Sequence, residues 1–328
     1  MTIREFAKLC GVSPATASRF FSGQGALSPE VRRRIADMAK KTGYAPPENY
    51  RGRRKTGTTI AVIIPDLHHA FFLDAATYLR THAEAHGKQL TLLVADHYSP
   101  QAVMQALSSL NPMGVILLNE SPDDRVAEAI AARNVPVIVC GGLTMGRHFS
   151  SVHIDDMMAA YDGMNYLISL GHERIGLLAD NSRAISCGFQ RIIGCRKAME
   201  DARLSLPEQN VLRVGTTFQA GYDGIAQLLE QVPALTAVFA FSDDVALGVM
   251  LRLQDMGKRV PEDISVLGYD GTSIARLARP ALSTIQQPLD AIAQQCIERL
   301  LGMQGADDIT AVTLGYHLEL RDSCCRVK

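Results

Sequence analysis

From residue 59 onward, short apolar runs alternate with longer amphipathic stretches. The first run, Ile60–Ile64, is continuous and stops at Pro65, which is typical of a strand buried on both faces. Further strands are predicted at 89–94, 114–118 and 137–139, separated by helices at 72–86, 99–110 and 123–134. Because strand–helix–strand repeats build parallel sheets, this order predicts a doubly wound α/β fold.

The same alternation then starts again, which indicates a second α/β lobe. Its predicted helices span 156–170, 187–202, 219–231 and 244–256, and its predicted strands span 174–178, 211–214, 237–240 and 264–267. In parallel sheets, ligands bind beyond the carboxyl ends of the strands. Residues 59–328 are therefore predicted to form a two-lobed domain with a ligand cleft between the lobes.

The N-terminal segment differs from this body in charge. The chain has a formal net charge of -1, but residues 1–56 contain twelve basic and four acidic residues, a net charge of +8. The remainder has 21 basic and 30 acidic residues, a net charge of -9. A small basic module joined to an acidic body predicts contact with a polyanion at one end.

Three short helices are predicted in the basic module. The first covers residues 2–9, with Thr2 as N-cap, and Gly11 follows it. The second starts with Ser13 as N-cap and Pro14 at the first helical position, and the third runs from Ser28 to about residue 41. This layout is typical of a helix-turn-helix domain, and the alternative is an ordinary three-helix bundle with a solvated basic face.

The second helix suits the major groove of DNA because its residues are small or carry hydroxyl groups. Ser13, Thr16 and Ser18 are predicted to donate hydrogen bonds to phosphates. Arg19 is long enough to donate two hydrogen bonds to a guanine edge.

Other protein classes fit the sequence poorly. There is no apolar run of about 18 residues and no signal-peptide pattern at the start, so a cytoplasmic location is expected, on the nucleoid when DNA-bound. The seven cysteines include no C-x-x-C pair, which favours free thiols over a zinc site. We expect no metal and no other cofactor.

Residues Thr2–Arg19 resemble the headpiece of the lac repressor (LacI/GalR) family of bacterial transcription regulators, whose pattern is roughly T-I-x-D-V-A-x-x-A-G-V-S-x-x-T-V-S-R. The match continues through Gly43-Tyr44-Ala45-Pro46, so we assign residues 1–46 to the DNA-binding domain. The resemblance implies that positions 14, 15 and 19 read bases. Pro14 and Ala15 offer only apolar contacts, such as to a thymine methyl, so Arg19 should supply most of the hydrogen-bonded reading. The predicted DNA-contacting residues of the headpiece are Ser13, Pro14, Ala15, Thr16, Ser18, Arg19 and Ser22.

The linker at 47–58 departs from the family. There the pattern N-x-x-A-R-x-L folds as a hinge helix whose Leu enters the minor groove. Here Arg51 matches the pattern, but Arg53 occupies the Leu position, and Pro47 and Gly52 weaken a helix. We hypothesise that Arg51 and Arg53 contact the minor groove or the DNA backbone without a wedge. The alternative is a solvated, flexible linker.

The body also resembles this family, and the periplasmic sugar-binding fold behind it, most clearly at 170–175 and 260–270. By this resemblance, the effector-binding residues would be Phe71, Phe72, Arg191, Ser242, Asp243 and Asp270. Arg and Asp at strand ends suit carboxylate, phosphate or hydroxyl groups. In the alternative interpretation, Arg191 and Asp270 form an interlobe salt bridge and the two Phe residues are plain core.

Two departures affect the ligand. His69-Ala70 replaces the family's Asn-Pro before the two Phe residues, and Ser242 replaces an Asn. A sugar, sugar acid or sugar phosphate is the expected effector, and a purine is the second choice because paired aromatic rings can stack on a base.

The sequence therefore predicts a ligand-responsive transcriptional regulator that binds a palindromic operator as a homodimer. A repressor is the expected type of regulator. One alternative is a sugar-modifying α/β enzyme, but the usual nucleotide-binding and hydrolase motifs are absent from the sequence. The other alternative is a soluble solute-binding protein, which the basic headpiece opposes.

Overall fold

A computed structural model describes residues 2–22, 27–44, 58–95, 100–108, 110–118, 124–131, 135–142, 149–180, 187–303 and 309–327. The chain forms two compact units, Met1–Thr58 and Thr59–Lys328. We call the first unit the headpiece and the second unit the body.

The headpiece contains the three predicted helices, α1 (Ile3–Leu9), α2 (Pro14–Ser22) and α3 (Pro29–Thr42). Thr2 caps α1, because its side chain accepts a hydrogen bond from the Glu5 backbone and the Glu5 carboxylate accepts one from the Thr2 backbone. Phe6, Ala17 and Ile35 are fully buried and form the core of the three helices. The predicted helix-turn-helix layout is confirmed.

The first lobe of the body begins with a strand that is buried along almost all of its length, as its apolar sequence predicts. Its elements up to the first crossover are β1 (Thr59–Ile64), α4 (Ala70–Ala85), β2 (Gln89–Val94), α5 (Pro100–Ser108), β3 (Gly114–Leu118), α6 (Asp124–Ala131), β4 (Val137–Cys140) and β5 (Ser150–Ile154).

The second lobe repeats the strand–helix alternation. Its elements are α7 (Asp156–Ser169), β6 (Ile175–Ala179), α8 (Cys187–Asp201), β7 (Val211–Arg213), α9 (Phe218–Gln231), β8 (Ala237–Ala240), α10 (Asp243–Asp255), β9 (Ser265–Asp270), α11 (Ser273–Leu277) and β10 (Ser283–Gln286). The closing elements of the chain are α12 (Leu289–Gly302), β11 (Ala311–Leu314) and β12 (His317–Glu319).

Each lobe has a sheet of six described strands. The first sheet has the order β11-β5-β4-β3-β1-β2 with parallel pairings, and the second has the order β12-β10-β9-β8-β6-β7, in which β12 is antiparallel to β10. The predicted pair of doubly wound, largely parallel lobes is therefore confirmed.

The chain passes between the lobes three times. It leaves the first sheet after β5, returns through α12, and moves from β11 in the first sheet to β12 in the second. Helix α12 packs against α4, and the side chain of Leu300 lies on the backbone of Gly114 in β3. The apolar alternation predicted neither these crossovers nor the elements after residue 267. The last two strands in particular are short and half exposed, so they leave no continuous apolar run.

Two helix pairs of the second lobe pack with their backbones in close contact. A Cβ atom on Gly194 of α8 would overlap the carbonyl oxygen of Met157 in α7, and one on Gly248 of α10 would overlap that of Phe218 in α9. These glycines lack a side chain because a neighbouring backbone occupies the space.

We expect Gly194→Ala to destabilise the body by about 1–3 kcal/mol, because the added methyl group must push α7 away from α8. Urea unfolding measures this change. Gly302→Ala is the control, because a Cβ there meets no atom within 4 Å. The control should be neutral or stabilising by about 0.5–1 kcal/mol, since Ala loses less backbone entropy than Gly. Equal stabilities for the two variants would contradict the packing argument.

Candidate functional site

Helix α2 presents the predicted base-reading residues on one exposed face. Ala17 is turned into the headpiece core and is fully buried, whereas Pro14, Ala15 and Arg19 are exposed and Thr16 and Ser18 are half-buried. The fixed inward position of Ala17 therefore leaves positions 14, 15 and 19 on the outer side of the helix.

Ser13 acts as the cap of α2. Its Oγ accepts a hydrogen bond of 3.0 Å from the Thr16 backbone N–H and lies 2.8 Å from the Thr16 hydroxyl. Ser22 is the last residue of α2. Arg51 and Arg53 lie outside the described residues, so their contact with DNA stays a prediction.

In the body, the predicted aromatic residues lie just beyond β1. Phe71 and Phe72 are the second and third residues of α4, are 2% and 6% exposed, and meet edge to face with ring centroids 5.8 Å apart. The ring of Phe71 packs over Gly141, which follows β4 and has a φ of 84°. Both rings thus belong to the apolar core at the carboxyl edge of the first sheet.

Arg191 lies at the carboxyl edge of the second sheet and is buried to 2% exposure. Its Nε donates to Asp156 Oδ1 over 2.7 Å, and one terminal nitrogen donates to the carbonyl oxygen of Phe241 over 2.7 Å. The guanidinium carbon lies 3.7 Å from the centre of the Tyr269 ring. The Tyr269 hydroxyl donates to the same Asp156 oxygen over 2.8 Å.

Arg191 forms this ion pair with Asp156 of α7. The alternative interpretation of the sequence paired Arg191 with Asp270. Sequence reasoning missed both Asp156 and Tyr269. The local sequence carried little signal for Asp156, because the strand that precedes it, β5, is buried but contains two serines and a histidine. Burial, reinforced by the Asp156 carboxylate, raises the pKa of Tyr269 well above 10, so this hydroxyl stays protonated and keeps donating.

Asp270 ends β9 with a φ of 105°, a conformation that non-glycine residues rarely adopt. Its Oδ1 accepts a hydrogen bond of 3.0 Å from Gln287, and its backbone carbonyl accepts one from the Gln287 N–H. Such strain costs about 1–3 kcal/mol and is concentrated at functional positions. Gln287, in the crossover to α12, was not singled out in the sequence.

Ser242 and Asp243 lie at the start of α10, as its N-cap and its first residue. The Ser242 hydroxyl caps α10 by accepting from the Val245 N–H at 3.2 Å. Asp243 is fully buried: its Oδ2 accepts from the backbone and the hydroxyl of Thr272 at 2.7 and 2.9 Å, and its Oδ1 accepts from the Thr284 hydroxyl at 2.6 Å. These bonds join α10 to the segments after β9 and in β10.

Burial raises the pKa of the Asp243 carboxyl from 3.8 to about 7, even though the hydrogen bonds from Thr284 and Thr272 act in the opposite direction. A protonated Asp243 can donate its proton to the Thr284 oxygen at the same short distance. The folded body therefore favours the neutral acid.

The two lobes also contact each other directly through Asp244 of α10 and the start of α4, a contact that the sequence did not predict. Asp244 Oδ2, in α10, accepts a hydrogen bond of 3.0 Å from the Ala70 N–H of α4 and lies 3.5 Å from His69 Nδ1. Burial lowers the pKa of His69 and raises the pKa of Asp244. His69 Nδ1 accepts from the Phe71 N–H, and His69 Nε2 is buried without a hydrogen-bond partner among the described residues. Such an atom costs about 1–3 kcal/mol.

We expect Asp243→Asn to change how stability depends on pH. Because the pKa of Asp243 is higher in the folded body than in the unfolded chain, its contribution is fully present below its ordinary value of 3.8 and is lost as the pH rises through about 7. Asn is neutral at every pH, with its oxygen towards Thr272 and its amide towards Thr284.

Thermal unfolding between pH 5 and pH 8 checks this expectation. The Tm of the variant relative to the original protein should rise with pH, by about 3 °C over this range. The exposed Asp255→Asn, on the same helix, should show no such trend. A difference for Asp243→Asn that does not change with pH would contradict the assignment.

No helix in the described ranges combines the length and the apolar character that a bilayer crossing requires.

Comparisons with known proteins agree with both units. Residues 2–47 match the family described as bacterial regulatory proteins, lacI family, and residues 164–324 match the periplasmic binding protein-like domain. The HTH-type transcriptional repressor CytR of Escherichia coli (strain K12) is 31% identical, over 93% of this chain and 90% of the relative.

Two solved structures extend the match to the fold. The transcriptional regulator CelR in complex with cellobiose is 27% identical with a TM-score of 0.73, over 98% of this chain and 99% of the other. A LacI family transcriptional regulator from Enterococcus faecium with bound ribose is 27% identical with a TM-score of 0.73, over 82% and 100%. The chain belongs to the lacI family of bacterial regulatory proteins, as a ligand-responsive, DNA-binding regulator of transcription and not an enzyme.

Proposed function

We propose that this protein is a cytoplasmic repressor that binds a palindromic operator as a homodimer. A small sugar-like effector would bind in the cleft of the body and either weaken or strengthen operator binding. The observation that carries the proposal is the buried polar arrangement of Arg191, Asp156 and Tyr269 at the carboxyl edge of the second sheet. Parallel α/β sheets bind their ligands at this edge.

The DNA-reading part of the proposal is supported by the exposed face of α2. Pro14 and Ala15 let the backbone approach the bases closely, and Arg19 is an exposed, long side chain on the same helix. Ser13, Thr16, Ser18 and Ser22 would contact phosphates, and Arg51 and Arg53 would contact the groove or the backbone in the linker. Two headpieces in a homodimer would read two half-sites of a palindrome.

The effector part is supported by the chemistry at the strand ends. Arg191 donates hydrogen bonds, Asp270 accepts them, and the buried rings of Phe71 and Phe72 lie at the carboxyl edge of the first sheet, where opening of the lobes would expose them. Polar groups on one side and aromatic rings on the other suit a sugar, a sugar acid or a sugar phosphate. Two structural relatives hold cellobiose and ribose.

Ser242 and Asp243 would contribute to this site from the start of α10. Both Asp243 oxygens are already used by Thr272 and Thr284, so this carboxyl would position α10 and the end of β9 rather than move to meet a ligand. Effector binding would then change lobe closure, and through it the affinity for DNA. By linkage, DNA would change effector affinity by the same factor.

A thermal-shift screen of sugars, sugar acids, sugar phosphates and purines tests the effector site. A compound at 100 times its Kd should stabilise the protein by about 2.7 kcal/mol and raise its Tm. Asp270→Asn should weaken that compound about tenfold or more, because Asn tolerates positive φ but lacks the charge. Asp263→Asn, which removes the charge of an exposed pair with Arg259, is the matched control. Unchanged affinity in Asp270→Asn would remove this residue from the site.

Selection from random-sequence duplexes tests the DNA-binding surface. The full chain should enrich palindromic sequences, and Arg19→Ala should weaken the selected site by about 1–3 kcal/mol and relax the preference at one base position in each half-site. Arg33→Ala, on the exposed surface of α3, is the control. If Arg19→Ala weakens all sequences equally, Arg19 is a phosphate contact instead.

A further inference from the structure

We propose that Asp244 is a positioning residue that holds the two lobes of the body closed, by binding the first residue of α4 in the opposite lobe. We call Asp244, His69 and Ala70 the interlobe clasp. The inference rests on the proposed function in one respect, since closure matters for regulation only if the effector binds between the lobes.

The position of Ala70 in its helix explains why its N–H bonds to a residue of the opposite lobe. Ala70 is the first residue of α4, and the first N–H groups of a helix have no partner within their own helix. His69 caps the N–H of Phe71, so the Ala70 N–H needs a different acceptor. That acceptor is Asp244 Oδ2 at 3.0 Å. A negative side chain at a helix N-terminus is also favoured by the helix dipole.

His69 lowers the stability of the closed arrangement of the lobes. Its Nδ1 lies 3.5 Å from Asp244 Oδ2, while its Nε2 is buried without a hydrogen-bond partner among the described residues. When the lobes separate, water reaches this nitrogen and the penalty disappears. The closed arrangement therefore combines a favourable bond to Asp244 with an unfavourable burial at His69, and the balance between open and closed lobes is easily shifted.

A second interlobe bond reports on closure independently. Asp74, also in α4, accepts a hydrogen bond of 2.9 Å from the Ser273 N–H of the second lobe. Ser273 is exposed, and its hydrogen bond to Asp74 involves no residue of the clasp. Its amide is protected from exchange with solvent only while the lobes remain together.

Two changes on opposite lobes remove the same hydrogen bond. Asp244→Ala deletes the acceptor, and Ala70→Pro deletes the donor. Proline is well tolerated at the first position of a helix, and His69 has the extended backbone (φ -89°, ψ 120°) that a residue before proline prefers. Asp244→Asn retains an oxygen that can accept from Ala70. Asp255→Ala is the matched control. Asp255 is on the same helix as Asp244, and its carboxylate accepts a hydrogen bond from Tyr222 of α9.

Hydrogen exchange of the full chain, without added compounds, tests the clasp. We expect the Ser273 amide to exchange about tenfold faster in Asp244→Ala and in Ala70→Pro, and no faster still in the double variant, because both remove one bond. Asp244→Asn should restore slow exchange, and Asp255→Ala should leave it unchanged. Amides of β8 should be unaffected in all variants, which shows that the body remains folded.

The proposal is overturned if Ser273 exchanges at the original rate in Ala70→Pro, or if the two single changes add. It is also overturned if Asp244→Asn behaves like Asp244→Ala, since the hydrogen bond would then not be the cause. Because no effector is used, these outcomes do not depend on the compound screen. A failed screen with a positive exchange result would remove the proposed effector and leave the clasp in place.

Discussion

The buried ion pair between Arg191 and Asp156 is the interaction on which the arrangement of the cleft depends. Taking two charges out of water costs several kcal/mol for each ion, and only close geometry with further hydrogen bonds offsets this cost. Here the Phe241 carbonyl accepts a hydrogen bond from Arg191, the Tyr269 hydroxyl donates one to Asp156, and the Tyr269 ring makes a cation–π contact with the guanidinium. Asp156 begins α7, where the chain leaves the first sheet, so the pair fixes this crossover against the second sheet.

The same edge of the second sheet has to accommodate several carboxyl groups close together. Asp243 is accommodated through hydrogen bonds from two threonines and a raised pKa, so its charge is reduced near neutral pH. Asp244, its neighbour in sequence, is directed to the opposite lobe and accepts from a helix N-terminus. Two adjacent aspartates thus have different tasks, because one faces the interior of its own lobe and the other faces the lobe boundary.

Much of the fold follows from local sequence. The continuous apolar run Ile60–Ile64 marks a buried strand, and the Thr2-to-Glu5 spacing marks the start of a helix. The three lobe crossovers do not follow from such signals. Helix α12 looks like any amphipathic helix, and its place in the first lobe depends on Leu300 meeting Gly114, almost 200 residues earlier in the chain. Contacts over such separations have no local pattern.

Local sequence features identify a basic three-helix module followed by a two-lobed α/β body, and the family resemblance adds Arg191 and Asp270 as cleft residues. Periodicity, capping residues and the separation of charge are local properties, so they can be recognised without coordinates. The pairing of Arg191 with Asp156 and the bond from the Ala70 N–H to Asp244 depend on the three-dimensional arrangement of the chain. A buried charge takes the partner that the fold brings within hydrogen-bond distance, and that distance depends on how separate strands and helices end in space.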